Sequence, residues 1–122
     1  MKYEITSEER SFFLKTLAFE RTWDSILKSY WGEKFERPDF KSSMYYYAIM
    51  TRILLDGEEG RISKSALIED IIGIAPDSVR RYLTRLERGE MIITLGTKPK
   101  FVELTESGLG ALQDACKSWH KN

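Results

Sequence analysis

From Thr6 to Trp31, apolar side chains return every three or four positions, at Phe12, Phe19, Trp23, Ile26 and Tyr30. That period marks one face of a long helix. Thr6 followed by Glu9 has the spacing of a capping box, which places the helix start. Gly32 and the stretch EKFERPDF end the pattern, since Pro38 has no amide hydrogen for a helical ladder. A second helix is predicted from about Lys41 to Leu55. Its apolar residues Met44, Tyr46, Tyr47, Ile49, Met50, Ile53 and Leu54 cover more than half the circumference, so it belongs at the centre of the fold. The polar stretch DGEEG at 56–60 closes it with a turn.

The next stretch reads RISKSALIEDIIGIAPDSVRRYLTRLERGEMI. Ser63 is placed to cap a short helix carrying Leu67, Ile68, Ile71 and Ile72. Gly73 interrupts it, and Pro76 suits the first turn of a further helix, where its missing N–H costs nothing. That helix puts Val79, Tyr82, Leu83 and Leu86 on one side and ends near Gly89. The period then changes. Two β-branched and apolar runs, 91–95 and 101–104, flank the tip GTKPK and predict a β-hairpin. Thr105 starts a last helix, with Leu109, Leu112, Cys116 and Trp119 at helical spacing.

Two short helices around a glycine turn are the mark of a helix-turn-helix. Counting Ser65 as first, Gly73 is ninth, and Ile68, Ile72, Ile74, Val79 and Tyr82 fall where that motif packs apolar side chains. Glu69 departs from it, standing where close helix packing asks for alanine. Either the crossing is looser or Glu69 points outward.

The stretch ending Leu86-Glu87-Arg88-Gly89-Glu90-Met91, followed by Leu104-Thr105-Glu106-Ser107-Gly108, resembles the MarR (multiple antibiotic resistance regulator) family. The first is similar to that family's recognition helix ending in Leu-Glu-x-x-Gly-x-Ile, the second to its Leu-Thr-x-x-Gly after the last strand. The resemblance covers residues 44–112. It implies a fold that is mainly α with a small β-hairpin wing, a winged helix-turn-helix with N- and C-terminal helical arms. It also implies a homodimeric transcription regulator of double-stranded DNA whose terminal helices form the interface, and which a small aromatic effector releases. Two features depart from the family. Its wing carries an Asp-Arg pair, whereas GTKPK has Lys98 and Lys100 and no arginine; the helical region after the wing, 105–122, is shorter than usual.

On these boundaries the 122 residues read as one domain: an arm at 1–40, helix-turn-helix and wing at 41–104, and a C-terminal helix at 105–122. The net charge is zero, so no global field draws the chain to nucleic acid or membrane. The local distribution is uneven. Residues 1–60 hold 9 basic and 11 acidic side chains, residues 61–104 hold 8 and 6, and residues 105–122 hold 2 and 2. Arg81, Arg85 and Arg88 share a helix face by their spacing, with Arg80 and Thr84 alongside, roughly opposite the apolar side. With helix 76–88 in a major groove, Ser78, Arg80, Arg81 and Thr84 are placed for base edges. Arg85, Arg88, Lys98 and Lys100 suit phosphates, the last two from a wing at 95–101. The alternatives are a solvated face partly neutralised by Asp77, Glu87 and Glu90, and a protein-interaction module that docks an acidic partner.

Aromatic residues crowd the first part of the chain, with 12 of 15 in residues 1–47. The seam Phe12, Phe19, Trp23 and the run MYYYAIM read as core plus dimer interface, completed by Leu112, Cys116 and Trp119 from the last helix. The other reading is a pocket for a small aromatic molecule between arm and DNA-binding lobe.

Catalysis has no support. His120 is the single histidine, and no Ser-His-Asp set, Cys-His nucleophile pair or phosphate-cradling glycine loop occurs. Cys116 and His120, four apart, supply two metal ligands where zinc wants three or four, so neither metal nor cofactor is expected. Cys116 sits on the apolar seam and reads as a buried thiol. The opening MKYEITSEERSFF turns acidic where a secretion signal's apolar stretch would begin, and no apolar run is long enough for a membrane span. With one cysteine, this points to the cytoplasm.

Overall fold

The computed structural model describes residues 4–32, 40–57, 60–71 and 73–121. The break expected at 33–39, including Pro38, and the packing of Ile72 lie outside these residues. The described elements run α1 (Ser7–Trp31), α2 (Phe40–Asp56), β1 (Arg61–Ser63), α3 (Lys64–Asp70), α4 (Pro76–Arg88), β2 (Ile92–Leu95), β3 (Phe101–Leu104) and α5 (Glu106–Lys121). Among them no helix is long and apolar enough to cross a membrane.

The capping box forms as expected. Thr6 Oγ1 accepts from the Glu9 amide at 3.0 Å, and the Thr6 amide donates to the Glu9 carboxylate at 2.8 Å. Two amides otherwise left over at the start of α1 are thereby satisfied. Ser63 caps α3, its hydroxyl accepting from the Ala66 amide at 3.4 Å. Helix α3 stops at Asp70, earlier than its apolar run suggested, because Ile71 is already extended while its side chain stays buried. Gly73 follows with φ of 89°, a left-handed conformation that strains residues with a Cβ, and the chain turns there into α4. Pro76 takes the first position of α4.

The hairpin of β2 and β3 is joined by β1, a strand too short for its three residues to show any period. The sheet is antiparallel in the order β1-β3-β2, with Ile62 opposite Val102 and Thr94 opposite Val102 from the other side. A bond from the Lys64 amide to the Lys100 carbonyl, 2.9 Å long, ties the start of α3 to the hairpin tip. At the other end of the hairpin Thr105 makes the joint to α5. Its amide donates to Met91 O at 3.1 Å, while its hydroxyl donates to Glu90 O at 2.6 Å and accepts from the Gly108 amide at 3.0 Å. Gly108 lies so close beneath the hairpin that an added Cβ would stand 2.1 Å from Met91 O. The Leu-Thr-x-x-Gly pattern therefore has a local cause: threonine makes the joint and glycine clears it.

Helix α2 is central, as its pattern predicted. It touches α1, α3, α4, α5, β1 and β3, and buries Tyr46, Ile49, Met50 and Ile53. Around it close Trp23 and Leu27 of α1, Leu67 and Ile68 of α3, the buried face of α4, and Met91, Ile92 and Val102 of the hairpin region. Helices α1 and α5 pack antiparallel. Phe19 meets Trp119 with ring centres 5.8 Å apart, and further along Tyr30 Oη donates to Asp114 at 2.6 Å.

Two side chains of the expected interface seam are placed differently, and so is the expected buried thiol. Trp23 is fully buried in its own protomer, with Nε1 donating to the Ser43 carbonyl at 2.9 Å, and has no surface to offer a second chain. Leu112 is 8% exposed and also belongs to the core. Cys116 is exposed, not a buried thiol. Helix α5 turns Ala111, Leu112 and Ala115 inward, and at Gly110 the missing side chain lets Tyr30 of α1 approach closely. Periodicity counted on large apolar residues passes over such a face.

Candidate nucleic-acid interface

Helix α4 separates its two sides sharply. Val79, Tyr82, Leu83 and Leu86 are buried, while Arg80, Arg81, Thr84, Arg85 and Arg88 are exposed and Ser78 is half-buried. The apolar side anchors the helix to α2 and the hairpin, so the arginine side must face outward. Lys98 and Lys100 are exposed on the hairpin tip, and Glu69 is exposed on α3, which settles its direction.

The four arginines of α4 have different surroundings. Arg80 pairs with Asp77 at 2.8 Å, but the Asp77 side chain is 96% exposed. A solvated pair of this kind holds its partners weakly. Arg80 also borders a depression of about 350 Å³ with Lys64, Ser65, Ile68, Glu69, Pro99 and Lys100. Helix α3, helix α4 and the wing thus bring three cations and one carboxylate to the same hollow. Sequence reasoning passed over Lys64. Its signal was its place directly after the cap, where the bond to Lys100 O holds it beside the wing.

Arg81 and Arg85 lie over the ring of Tyr82, with guanidinium carbons 5.4 and 5.8 Å from its centre. Arg88 stands exposed in the last turn, where positive charge favours the carbonyl end of the helix. The Thr84 hydroxyl donates back to Arg80 O at 3.0 Å and remains exposed.

Behind this face, between α1, α2 and α5, lies a groove of about 440 Å³. Phe19 of α1 lines it, with Tyr47, Thr51 and Leu54 of α2 and Leu112, Ala115, Cys116, Trp119 and His120 of α5. Phe12 and Trp23, expected with Phe19, do not line it. The α5 wall came from residues read as interface. Its walls are mainly apolar and aromatic. The Thr51 hydroxyl is buried and has no partner among the described residues. Next to Thr51, Arg52 pairs with Asp56 at 2.6 Å and donates to the Asp70 carbonyl at 3.2 Å, tying α2 to the end of α3.

No family model and no curated protein matches the sequence. Solved structures do match the fold. A ligand-free organohalide-sensing transcriptional regulator, RdhR, superposes with a TM-score of 0.59 at 20% identity over 96% of this chain and 66% of its own. Its 2,4-dichlorophenol-bound form gives 0.59 at 19% identity over the same shares. A MarR-family transcriptional regulator from Streptomyces coelicolor gives 0.58 at 14% identity over 94% of this chain and 74% of its own. The chain therefore spans just under two thirds of the organohalide-sensing regulator's length. Its fold is the winged helix of MarR-family regulators, mostly helical with a small antiparallel sheet, as the sequence implied.

Proposed function

We propose that the protein is a MarR-like transcription regulator that binds double-stranded DNA through α4 and the wing, and that it works in the cytoplasm. One observation carries the reading: α4 buries Val79, Tyr82, Leu83 and Leu86 and thereby leaves a continuous arginine face beside two exposed wing lysines. In this reading Ser78 and Arg81 reach base edges from the first two turns of α4, and Thr84 from the third. Arg85, Arg88, Lys98 and Lys100 take phosphates. Arg80 is within reach of either, since it borders the hollow with Lys100. Similarity to regulators rather than enzymes agrees with the lack of catalytic groups in the sequence.

The test is retention of sheared genomic DNA at two salt concentrations, followed by sequencing of what is bound. Enriched palindromic sites support the regulator; no retention even at low salt sinks it in favour of a protein-docking module. Arg81→Ala should cost about 1–3 kcal/mol on the enriched sites and little elsewhere. Lys98→Ala should weaken every sequence alike and reduce the salt slope by about one. Equal, sequence-blind losses from both would undo the assignment of roles.

The regulator acts as a homodimer in this reading, which matches palindromic half-sites. Helix α5 meets α1 at Lys15 and Phe19 and leaves Phe12, Phe13, Leu14 and Leu17 each about half exposed. Apolar side chains at that density on one projecting helix suit a second copy. Phe19, Trp119 and Cys116 border the same region and would extend the contact. Light scattering should give a dimer, and Leu14→Asp with Leu17→Asp should give a folded monomer. A wild-type chain that scatters as a monomer at high concentration ends this part of the proposal.

The groove between α1, α2 and α5 has the size and apolar walls of a small-molecule site. A small aromatic effector would meet Phe19, Tyr47 and Trp119 there.

A further inference from the structure

The run Tyr45-Tyr46-Tyr47 divides between two neighbours. Tyr47 turns to the arm, with ring centres 5.0 Å from Phe19 and 5.3 Å from Trp23. Tyr45 and Tyr46 turn to α4 and meet Tyr82 edge-on at 5.4 and 5.5 Å. The three rings make a fixed base beneath the arginine face. Tyr82 and Tyr46 are 4% and 3% exposed, and Ser42 Oγ approaches Tyr82 Oη at 3.4 Å. Apolar packing alone would be met by leucine at position 82. What the ring adds is a negative π-face directly under two cations.

Both Arg81 and Arg85 use that face. A guanidinium within about 6 Å of a ring centroid is attracted by the ring's quadrupole. Burial raises the Tyr46 pKa, and the nearby Arg85 guanidinium works against that rise. Two long side chains that would otherwise sample many rotamers are therefore gathered over one ring. Ordering them before DNA arrives removes part of the entropy cost of binding.

We infer that Tyr82, backed by Tyr45 and Tyr46, is a positioning residue for DNA binding, a tyrosine shelf that presents Arg81 and Arg85 to the duplex. This rests on the DNA-binding reading above. On α2, Tyr46 lies one residue from the groove-lining Tyr47.

Two measurements test the shelf. The first needs no DNA. In the free protein, side-chain NMR signals of Arg81 and Arg85 should be shifted upfield by the Tyr82 ring; Tyr82→Phe should keep that shift and Tyr82→Leu abolish it. Unshifted signals in the wild type overturn the inference. The second titrates a fluorescein-labelled mixed-sequence duplex. Tyr82→Leu should weaken binding about three- to tenfold, while Tyr82→Phe stays within about twofold of wild type. In an Arg81→Ala, Arg85→Ala background neither substitution should cost anything more, because each acts through the arginines. A loss that persists in that background marks a merely structural role and overturns the inference. So does a Tyr82→Phe loss as large as that of Tyr82→Leu. The arginine shifts of the wild type need no variant, so that result stands even if Tyr82→Leu fails to fold. Failure of the DNA-binding reading looks different: the wild type leaves the duplex unbound although its arginine signals are shifted. That outcome removes the shelf's role in binding as well.

Discussion

Replacing Trp23 by alanine will lower folding stability by about 4 kcal/mol, the range for emptying the largest buried side chains. The indole has no exposed surface and stacks edge-on against Tyr47 at 5.3 Å. Its Nε1 supplies a hydrogen bond to the Ser43 carbonyl, at 2.9 Å, inside the core. Alanine would leave both a cavity and a buried carbonyl without its donor. Beneath that carbonyl the Ser43 hydroxyl bonds Asp24, so the start of α2 is fixed to the middle of α1 from two sides. Against a total of about 5–15 kcal/mol for a typical domain, the loss is large. Urea denaturation should show a falling midpoint with little change in slope. Because Trp23 packs inside the protomer, the same loss should remain in the Leu14→Asp, Leu17→Asp background. If the loss disappears there, Trp23 stabilises an interface and the burial seen here is not what holds it.

Gly108→Ala will destabilise the protein by about 3 kcal/mol, and here the sign is as informative as the size. Position 108 lies in the first turn of α5, where helix propensity alone favours alanine over glycine by up to about 1 kcal/mol. The tertiary structure opposes this. An added Cβ would stand 2.1 Å from Met91 O, a backbone atom that already accepts the Thr105 amide and cannot swing aside as a side-chain end could. Either α5 moves off the hairpin and the Thr105 joint opens, or the strand shifts and carries the wing with it. Thermal and urea unfolding check the prediction; a gain in stability would mean the close approach is easily relaxed. The surviving folded fraction should also bind DNA more weakly, because the wing is set by the same joint.

The elements most legible in the sequence were those whose cause is local. Capping depends on residues three apart, which is why Thr6 with Glu9 and Ser63 could be read directly. Gly73 and Pro76 acted through their own backbone geometry. The β-branched and apolar runs 91–95 and 101–104 around the tip GTKPK pointed to paired strands. The sharp division of α4 followed from helical spacing, and with it the candidate arginine face. Regular periodicity also identified α2 as central.

The misread features depended on neighbours. Strand β1 has three residues and exists because β3 offers it a pairing edge. Trp23 and Phe12 fall on one face by spacing, yet the first is enclosed and the second exposed, because α5 meets α1 at Lys15 and Phe19 and leaves Phe12 uncovered. Cys116 has apolar neighbours in sequence and still faces outward, since Ala111 and Ala115 take the inner side of α5. Lys64 joins the cationic hollow through a backbone bond to the wing that no spacing along the chain displays.

The sequence by itself determined the helices, their caps, the turn and hairpin, and which side of α4 would be charged, because these follow from backbone preferences and apolar spacing within a few residues. Only the tertiary structure decided which aromatic side chains are core, which line the groove, and which carry the arginines. Three adjacent tyrosines are chemically alike, and what separates their roles is the partner each meets: Phe19 and Trp23 for Tyr47, Tyr82 for the other two.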